Sequence, residues 1–160
     1  MEDAATLREE MVRDQIHGRG VKDPRVLQAM RNVPRHEFCP GHSVEAAYGD
    51  HPLPVGHGQT ISQPYIVAVM TECLALSPGD KVLELGTGSG YQAAVLSEIG
   101  CEVFTVEIVS ELAESAMHTL VRLGYDNVKC SKGDAAYGWP EYAPFDAALG
   151  TCAASGIPES

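Results

Sequence analysis

KVLELGTGSG, Lys81 to Gly90, sets the architecture of the chain. Val82, Leu83 and Leu85 form a short apolar run of the kind found in strands buried on both faces. Gly86, Gly88 and Gly90 follow at once, and Tyr91–Ile99 then reads as a helix. Glycines at such a junction permit a tight turn and let a ligand approach backbone N–H groups at a helix N-terminus. Beyond them, Cys101–Val106 is a second apolar run that ends in Glu107. A carboxylate about twenty residues past the glycines can accept hydrogen bonds from a ribose diol. The unit is a βαβ fold suited to a nucleoside.

The same residues narrow the choice of nucleoside. A dinucleotide fingerprint needs its third glycine one place after Gly90, and Tyr91 stands there. No Lys-Ser/Thr pair follows the glycines, which disfavours nucleoside triphosphates. Glu84 would repel a pyrophosphate but suits a ligand carrying an ammonium or sulfonium charge. S-adenosylmethionine fits this combination better than NAD.

Composition excludes other classes. At 160 residues the chain can bury one real core, and its apolar and charged fractions of 44% and 21% are ordinary for a globular domain. The net charge of −11 is uneven: residues 61–160 hold 4 Lys/Arg against 13 Asp/Glu, and residues 1–60 hold 7 against 9. An acidic nucleotide-binding half argues against a nucleic-acid partner, which would need a basic face. No apolar run reaches transmembrane length and the acidic N-terminus has no signal-peptide pattern, so a cytoplasmic protein without a membrane partner is expected. Cys39, Cys73, Cys101, Cys130 and Cys152 are scattered without C-x-x-C spacing, and read as free thiols rather than metal ligands. Five of the six histidines, His17, His36, His42, His51 and His57, precede residue 60 at spacings that match no metal motif; no metal is expected.

Taken in order, Ala5–Ile16 reads as a helix with Leu7, Met11 and Ile16 on one face. Asp23-Pro24 opens a second helix through Met30 as N-cap and first-turn proline. Asn32–Thr60 is rich in Pro, Gly and His and reads as an ordered, loop-rich cap anchored by Phe38, Tyr48, Leu53 and Val55. Pro64–Leu76 follows as a helix with Ile66, Met70, Cys73 and Leu74 on its apolar side and Ser62 at the N-cap position. That serine could cap the helix, hold a carboxylate, or do both. His57 is the histidine to watch, because it lies just before Thr60-Ile61-Ser62. Glu111–Leu123 is a helix capped by Ser110, Asn127–Cys130 a third strand, and Phe145–Leu149 a fourth with Thr151-Cys152 as its exit loop. Asp134, past the third strand, could meet an adenine amino group or simply cap a turn. The alternation gives a doubly wound, mostly parallel α/β sheet of Rossmann-like type with right-handed crossovers.

Four stretches carry a resemblance. GQTISQP at Gly58–Pro64, VLELGTGSGYQAAVL at Val82–Leu96, LGYDNV at Leu123–Val128 and GWPEYAPFDA at Gly138–Ala147 occur in this order. From about Met11 to Asp146 the chain resembles the bacterial protein-L-isoaspartate O-methyltransferases. The resemblance implies an S-adenosylmethionine-dependent methyltransferase fold and a repair enzyme. Such an enzyme methylates the free carboxylate of L-isoaspartyl residues, and less well D-aspartyl residues, in damaged proteins and peptides. It implies Ser62 as the catalytic residue contacting the substrate carboxylate, with Thr60, Ile61 and His57 about the same peptide site. It places Glu84, Gly86, Thr87, Gly88, Gly90, Glu107, Asp134 and Thr151 at cofactor-binding positions. One domain is expected, with residues 1–62 as a cap carrying the substrate motif and 63–160 as the cofactor core.

Two departures from the family pattern stand out. Ala135 replaces a glycine after Gly133-Asp134, where a side chain could crowd the adenine edge. Ala148-Leu149-Gly150-Thr151-Cys152 replaces a more apolar strand and loop, and the resemblance leads one to expect further strands and a helix after it. The chain therefore reads as truncated at its C-terminus. Its fourth strand would be an open sheet edge at which self-association could occur. The alternative to an active methyltransferase is an inactive fragment that keeps adenosyl binding or serves as an interaction module.

Overall fold

The computed structural model describes residues 3–151; Cys152 lies outside them. The first helix, α1, is Ala4–Glu10. Asp3 caps it by accepting from the Thr6 amide at 2.7 Å. The expected run to Ile16 is not one regular helix: Met11–Ile16 continues in wider i→i+5 turns and His17–Arg19 tightens before Gly20 at φ 102° ends it. The wide turns bring Met11, Val12 and Ile16 together into the core. Helix α2, Pro24–Asn32, starts as read, with the Asp23 carboxylate accepting from the Arg25 amide at 2.8 Å.

The cap is more ordered than its composition suggests. A short helix, α3, covers Val44–Ala47. Strands β1, Leu53–Gly56, and β2, Gln59–Ile61, then form an antiparallel hairpin where a loop was expected. His57 and Gly58, both at positive φ, make the two-residue turn. Strands this short, broken by Pro54 and Gly56, leave too little alternation for periodicity to detect. Phe38, Tyr48 and Leu53 are buried anchors, and Val55 packs half-buried.

Helix α4 covers Pro64–Cys73, and only part of its expected face is buried: Met70 and Leu74 pack half-buried against the core. Pro64, Val67, Ala68 and Thr71 face the core, whereas Ile66 is 41% exposed and Cys73 also faces solvent. Thr71 can be buried because its hydroxyl donates to the Val67 carbonyl at 2.7 Å and accepts from the Gln92 amide at 2.8 Å. Counting apolar residues alone finds only part of the buried face of such a helix. Ser62 does not cap it: Gln63 occupies the N-cap position and Pro64 begins the helix.

Strand β3, Lys81–Leu85, leads through the glycine turn into α5, Tyr91–Ile99. Then come β4, Glu102–Glu107; α6, Ser110–Arg122; β5, Val128–Lys132; and β6, Ala147–Gly150. Ser110 lies inside α6 with Val109 as N-cap, one residue from the expected cap. Asn127 directly precedes β5: its carbonyl accepts from the Val103 amide at 2.9 Å, and its side chain makes three further bonds. Its amide donates to the carbonyls of Ser97 (3.2 Å) and Cys101 (2.7 Å), and its oxygen accepts from the Ser97 hydroxyl.

The four strands form one parallel sheet in the order β5-β4-β3-β6. The chain builds outward from β3 to β5, then crosses back to place β6 on the other side of β3. Ligands of open parallel sheets bind at the carboxyl ends of the strands beside such a reversal. One face carries Val82, Val103 and Val128 into the large core with α2, α5 and α6 residues. The opposite face, Leu83, Leu85, Phe104 and Val106, is covered by Ala135, Trp139, Tyr142 and Phe145. Among the described residues β6 is an edge strand, as expected.

Asn127→Ala should cost about 2 kcal/mol by leaving two carbonyls and a hydroxyl without their partner. Thermal denaturation should show this as a fall of roughly 4–8 °C in Tm.

Candidate functional site

Register across the sheet builds the site. Val82, Val103 and Val128 are neighbours on adjacent strands, and two residues later Glu84, Thr105 and Cys130 are neighbours in the same way. Because strand side chains alternate, both rows lie on the same face. An apolar row therefore supports a polar row at the carboxyl ends of the strands.

A cavity of about 590 Å³ opens at the Glu84 end of that row. Each strand end contributes to it: Glu84, Gly86, Thr87 and Gly88 after β3, Glu107 at the end of β4, Asp134 after β5 and Thr151 after β6. Gln59, Thr60, Ile61 and Ser62 line it from the hairpin side. A volume of this size suits a small-molecule ligand.

Glu84 is fully buried. Its Oε1 accepts from the Thr105 hydroxyl at 2.6 Å, and that hydroxyl is 2.6 Å from Thr87 Oγ1. Its Oε2 has no hydrogen-bond partner among the described residues. Burial pushes the carboxyl up from 4.5 to about 8, with the Thr105 bond opposing the rise and the Glu107 charge adding to it. The Cys130 thiol, 3.7 Å from Thr87 Oγ1, is also pushed up by burial.

Glu107 is held differently. Its Oε2 accepts from the Gly88 amide at 2.9 Å and its Oε1 from the Val109 amide at 3.0 Å, so one carboxylate ties the glycine turn to the start of α6. Gly86 at φ 98° and Gly88 at φ 54° adopt backbone that other residues rarely take. Beside Gly88 there is open space where a Cβ would stand. Gly90 serves packing instead. A Cβ there would lie 3.3 Å from Ala116 and Leu120, so glycine permits close approach of α5 to α6 and does not line the cavity.

The remaining expected site residues fall as follows. Ser62 is half-buried, lines the cavity and makes no hydrogen bond among the described residues. Thr60 is exposed and Ile61 buried, both at the cavity wall. His57 is exposed at the hairpin turn and is not a lining residue. Asp134 combines both alternatives, lining the cavity while its Oδ1 accepts from the Ala136 amide at 2.8 Å as a turn cap. Ala135 lines the cavity and also packs under the sheet. The Thr151 hydroxyl donates to the Gly86 carbonyl, joining β6 to the glycine turn.

Sequence reasoning missed Thr105, Gln92 and Ile108. A threonine within the apolar run of β4 was the available signal for Thr105. Gln92 lines the cavity with its amide held by Thr71. Ile108, 68% exposed, sets an apolar surface beside Glu107. Among the described residues no group of three or more His, Cys, Asp or Glu could hold a metal ion. Among them, too, no helix is long and apolar enough to cross a membrane.

The chain is similar to known proteins in both sequence and fold. The model of the protein-L-isoaspartate(D-aspartate) O-methyltransferase family matches residues 6–160. A protein-L-isoaspartate O-methyltransferase of Synechococcus is 56% identical over 154 residues, covering 96% of this chain and 63% of that protein. One from Gloeobacter violaceus is 57% identical over 149 residues, covering 93% and 73%. A solved protein-L-isoaspartate O-methyltransferase superposes with a TM-score of 0.87 at 33% identity, covering 95% of this chain and 50% of that one. A Plasmodium falciparum β-aspartate methyltransferase, solved in complex with S-adenosyl-L-homocysteine, gives 0.78 at 26% identity, covering 99% and 78%. The chain thus spans between half and about three quarters of these relatives' lengths.

The Glu84 carboxyl titrates higher in the folded protein than when unfolded. The stability it contributes is complete below pH 4.5 and is lost as pH rises towards 8. Glu84→Gln should therefore gain on the parent protein across that window, by up to about 4 kcal/mol or roughly 8–16 °C in Tm at pH 8. The difference should vanish near pH 4, as melting curves at both pH values would show.

Proposed function

The chain belongs to the protein-L-isoaspartate(D-aspartate) O-methyltransferase family, and from that membership we propose that it transfers a methyl group from S-adenosylmethionine to the free carboxylate of L-isoaspartyl residues, and less well D-aspartyl residues, in damaged proteins and peptides. The observation that carries this reading is the shared cavity in which Gln59–Ser62 meet the ends of all four parallel strands. In this reading residues 1–62 bring the peptide motif and residues 63–160 the cofactor core of one domain. Any self-association belongs at the outer edge of β6.

The residues fit the cofactor. Glu84 offers a buried carboxyl with one oxygen unpartnered, as a cationic amino acid moiety requires. Gly86, Thr87 and Gly88 leave room for close approach, Glu107 and Ile108 would border the ribose and adenine, and Asp134 and Thr151 would close the far side. S-adenosylmethionine, when bound, supplies a methyl group already activated on a sulfonium. A carboxylate is nucleophilic at neutral pH, so the protein has no need of a strong general base.

Its contribution is orientation and exclusion of water. Ser62 supports this role because its hydroxyl is free to donate to one oxygen of the substrate carboxylate and direct the other towards the methyl group. Thr60 and Ile61 would hold the peptide on either side.

Two measurements test the reading. Labelled methyl transfer to peptides differing only in isoaspartate versus aspartate should give base-labile label on the isoaspartyl peptide alone. Label on neither, with a full-length relative active alongside, would favour an inactive adenosyl-binding fragment. Ser62→Ala should lower turnover about 10- to 100-fold, the worth of one hydrogen bond to a charged group. Affinity for S-adenosylhomocysteine should change less than about twofold, since the serine sits on the peptide side. Unchanged turnover would remove Ser62 from the mechanism.

A further inference from the structure

Glu84 is an ionisable group that the transfer step itself does not use. Its side chain is wholly buried, its Oε1 is held by Thr105 and its Oε2 has no partner among the described residues, yet it lines the cavity. An ionised carboxylate in that position would lack a compensating cation, because no Lys, Arg or His is among the described lining residues. Its titratable neighbours are Glu107 at the end of β4, whose charge disfavours a second anion, and Cys130 on β5. The other elements around the cavity contribute Tyr91, whose phenol burial keeps protonated, and Gln92 from α5, Thr151 after β6, Val67 from α4 and Gln59–Ser62 from the hairpin and its exit, together with Asp134 after β5.

We propose that Glu84 holds a proton in the empty cavity and gives it up when a ligand bearing an ammonium or sulfonium group enters, so that cofactor binding releases one proton. The proposal rests on the cofactor reading above and adds the proton to it. The exchange balances: a neutral acid and a ligand cation become a carboxylate paired with that cation, and the proton passes to solvent. The raised titration range of the carboxyl agrees with this. The hydroxyls are arranged to follow. Thr105 donates to Glu84, and Thr87 can donate to Thr105, a short chain of donors that favours the ionised form once the cation is present.

Glu84 then acts as a selector of ligand charge. A ligand with adenosine but no amino acid group has nothing to exchange for the proton.

Isothermal titration with S-adenosylhomocysteine at pH 7, in buffers of different ionisation enthalpy, counts the protons. About one proton should leave per ligand bound, and affinity should rise about tenfold per pH unit from pH 6, levelling off near pH 8. Methylthioadenosine should bind with no proton released. Glu84→Gln should bind S-adenosylhomocysteine more weakly, again without release. Thr105→Val, which keeps the carboxyl but removes its one hydrogen bond, should move the levelling-off to higher pH; a merely structural role for Thr105 would lower affinity without moving it. Binding of S-adenosylhomocysteine with no proton exchanged, or with release persisting in Glu84→Gln, would overturn the proposal. No binding at any pH would overturn the cofactor reading and this proposal with it.

Discussion

A carboxyl group sealed from water at the end of the central strand sets the terms for everything around it. Isolated, a buried carboxylate is among the most costly groups a fold can contain. Here the parallel register places Thr105 beside Glu84, and the threonine hydroxyl supplies its one internal hydrogen bond. The same register places Cys130 beside Thr105, and Thr87 comes down from the glycine turn to meet the pair. A row of polar groups across three strands is tolerated because the valine row beneath it is fully packed. Site and core are successive layers of one sheet.

Two carboxylates at neighbouring strand ends thereby acquire different roles. Glu107 is occupied on both oxygens by amides of its own chain and fixes where the glycine turn meets α6. Glu84 keeps an oxygen in reserve. The difference follows from position. Glu107 stands where the strand ends and free N–H groups are plentiful, while Glu84 lies one residue before its strand ends, among amides already engaged in the ladder. A structural acid and a ligand-directed acid can thus share a cavity.

The substrate side depends on local backbone constraint. Pro64 at the first turn of α4 and the two-residue turn at His57-Gly58 bracket the strand carrying Gln59–Ile61. Ser62, left between strand and helix, is neither paired in a ladder nor used as a cap, so its hydroxyl remains available at the cavity. His57, near in sequence, sits exposed at the hairpin turn, outside the cavity lining. Closeness along the chain did not translate into closeness at the site.

Several features were legible before any coordinates. The strand at Val82–Leu85, helix Tyr91–Ile99 and carboxylate at Glu107 follow from apolar runs, glycine placement and spacing, because these are local requirements of a βαβ turn. The α/β class, the alternation of elements and the identity of the residues at the strand ends were also readable from the chain alone. Long-range packing settled which face of α4 is buried, since Thr71 enters the core through a hydrogen bond with Gln92, twenty-one residues away. It likewise decided that Gly90 serves helix packing, that Thr105 supports Glu84 and that the cap's loop is a hairpin. Each of these rests on a partner distant in sequence or on a run too short to show a period. Local propensity can place a side chain on an element; only packing determines what that side chain meets.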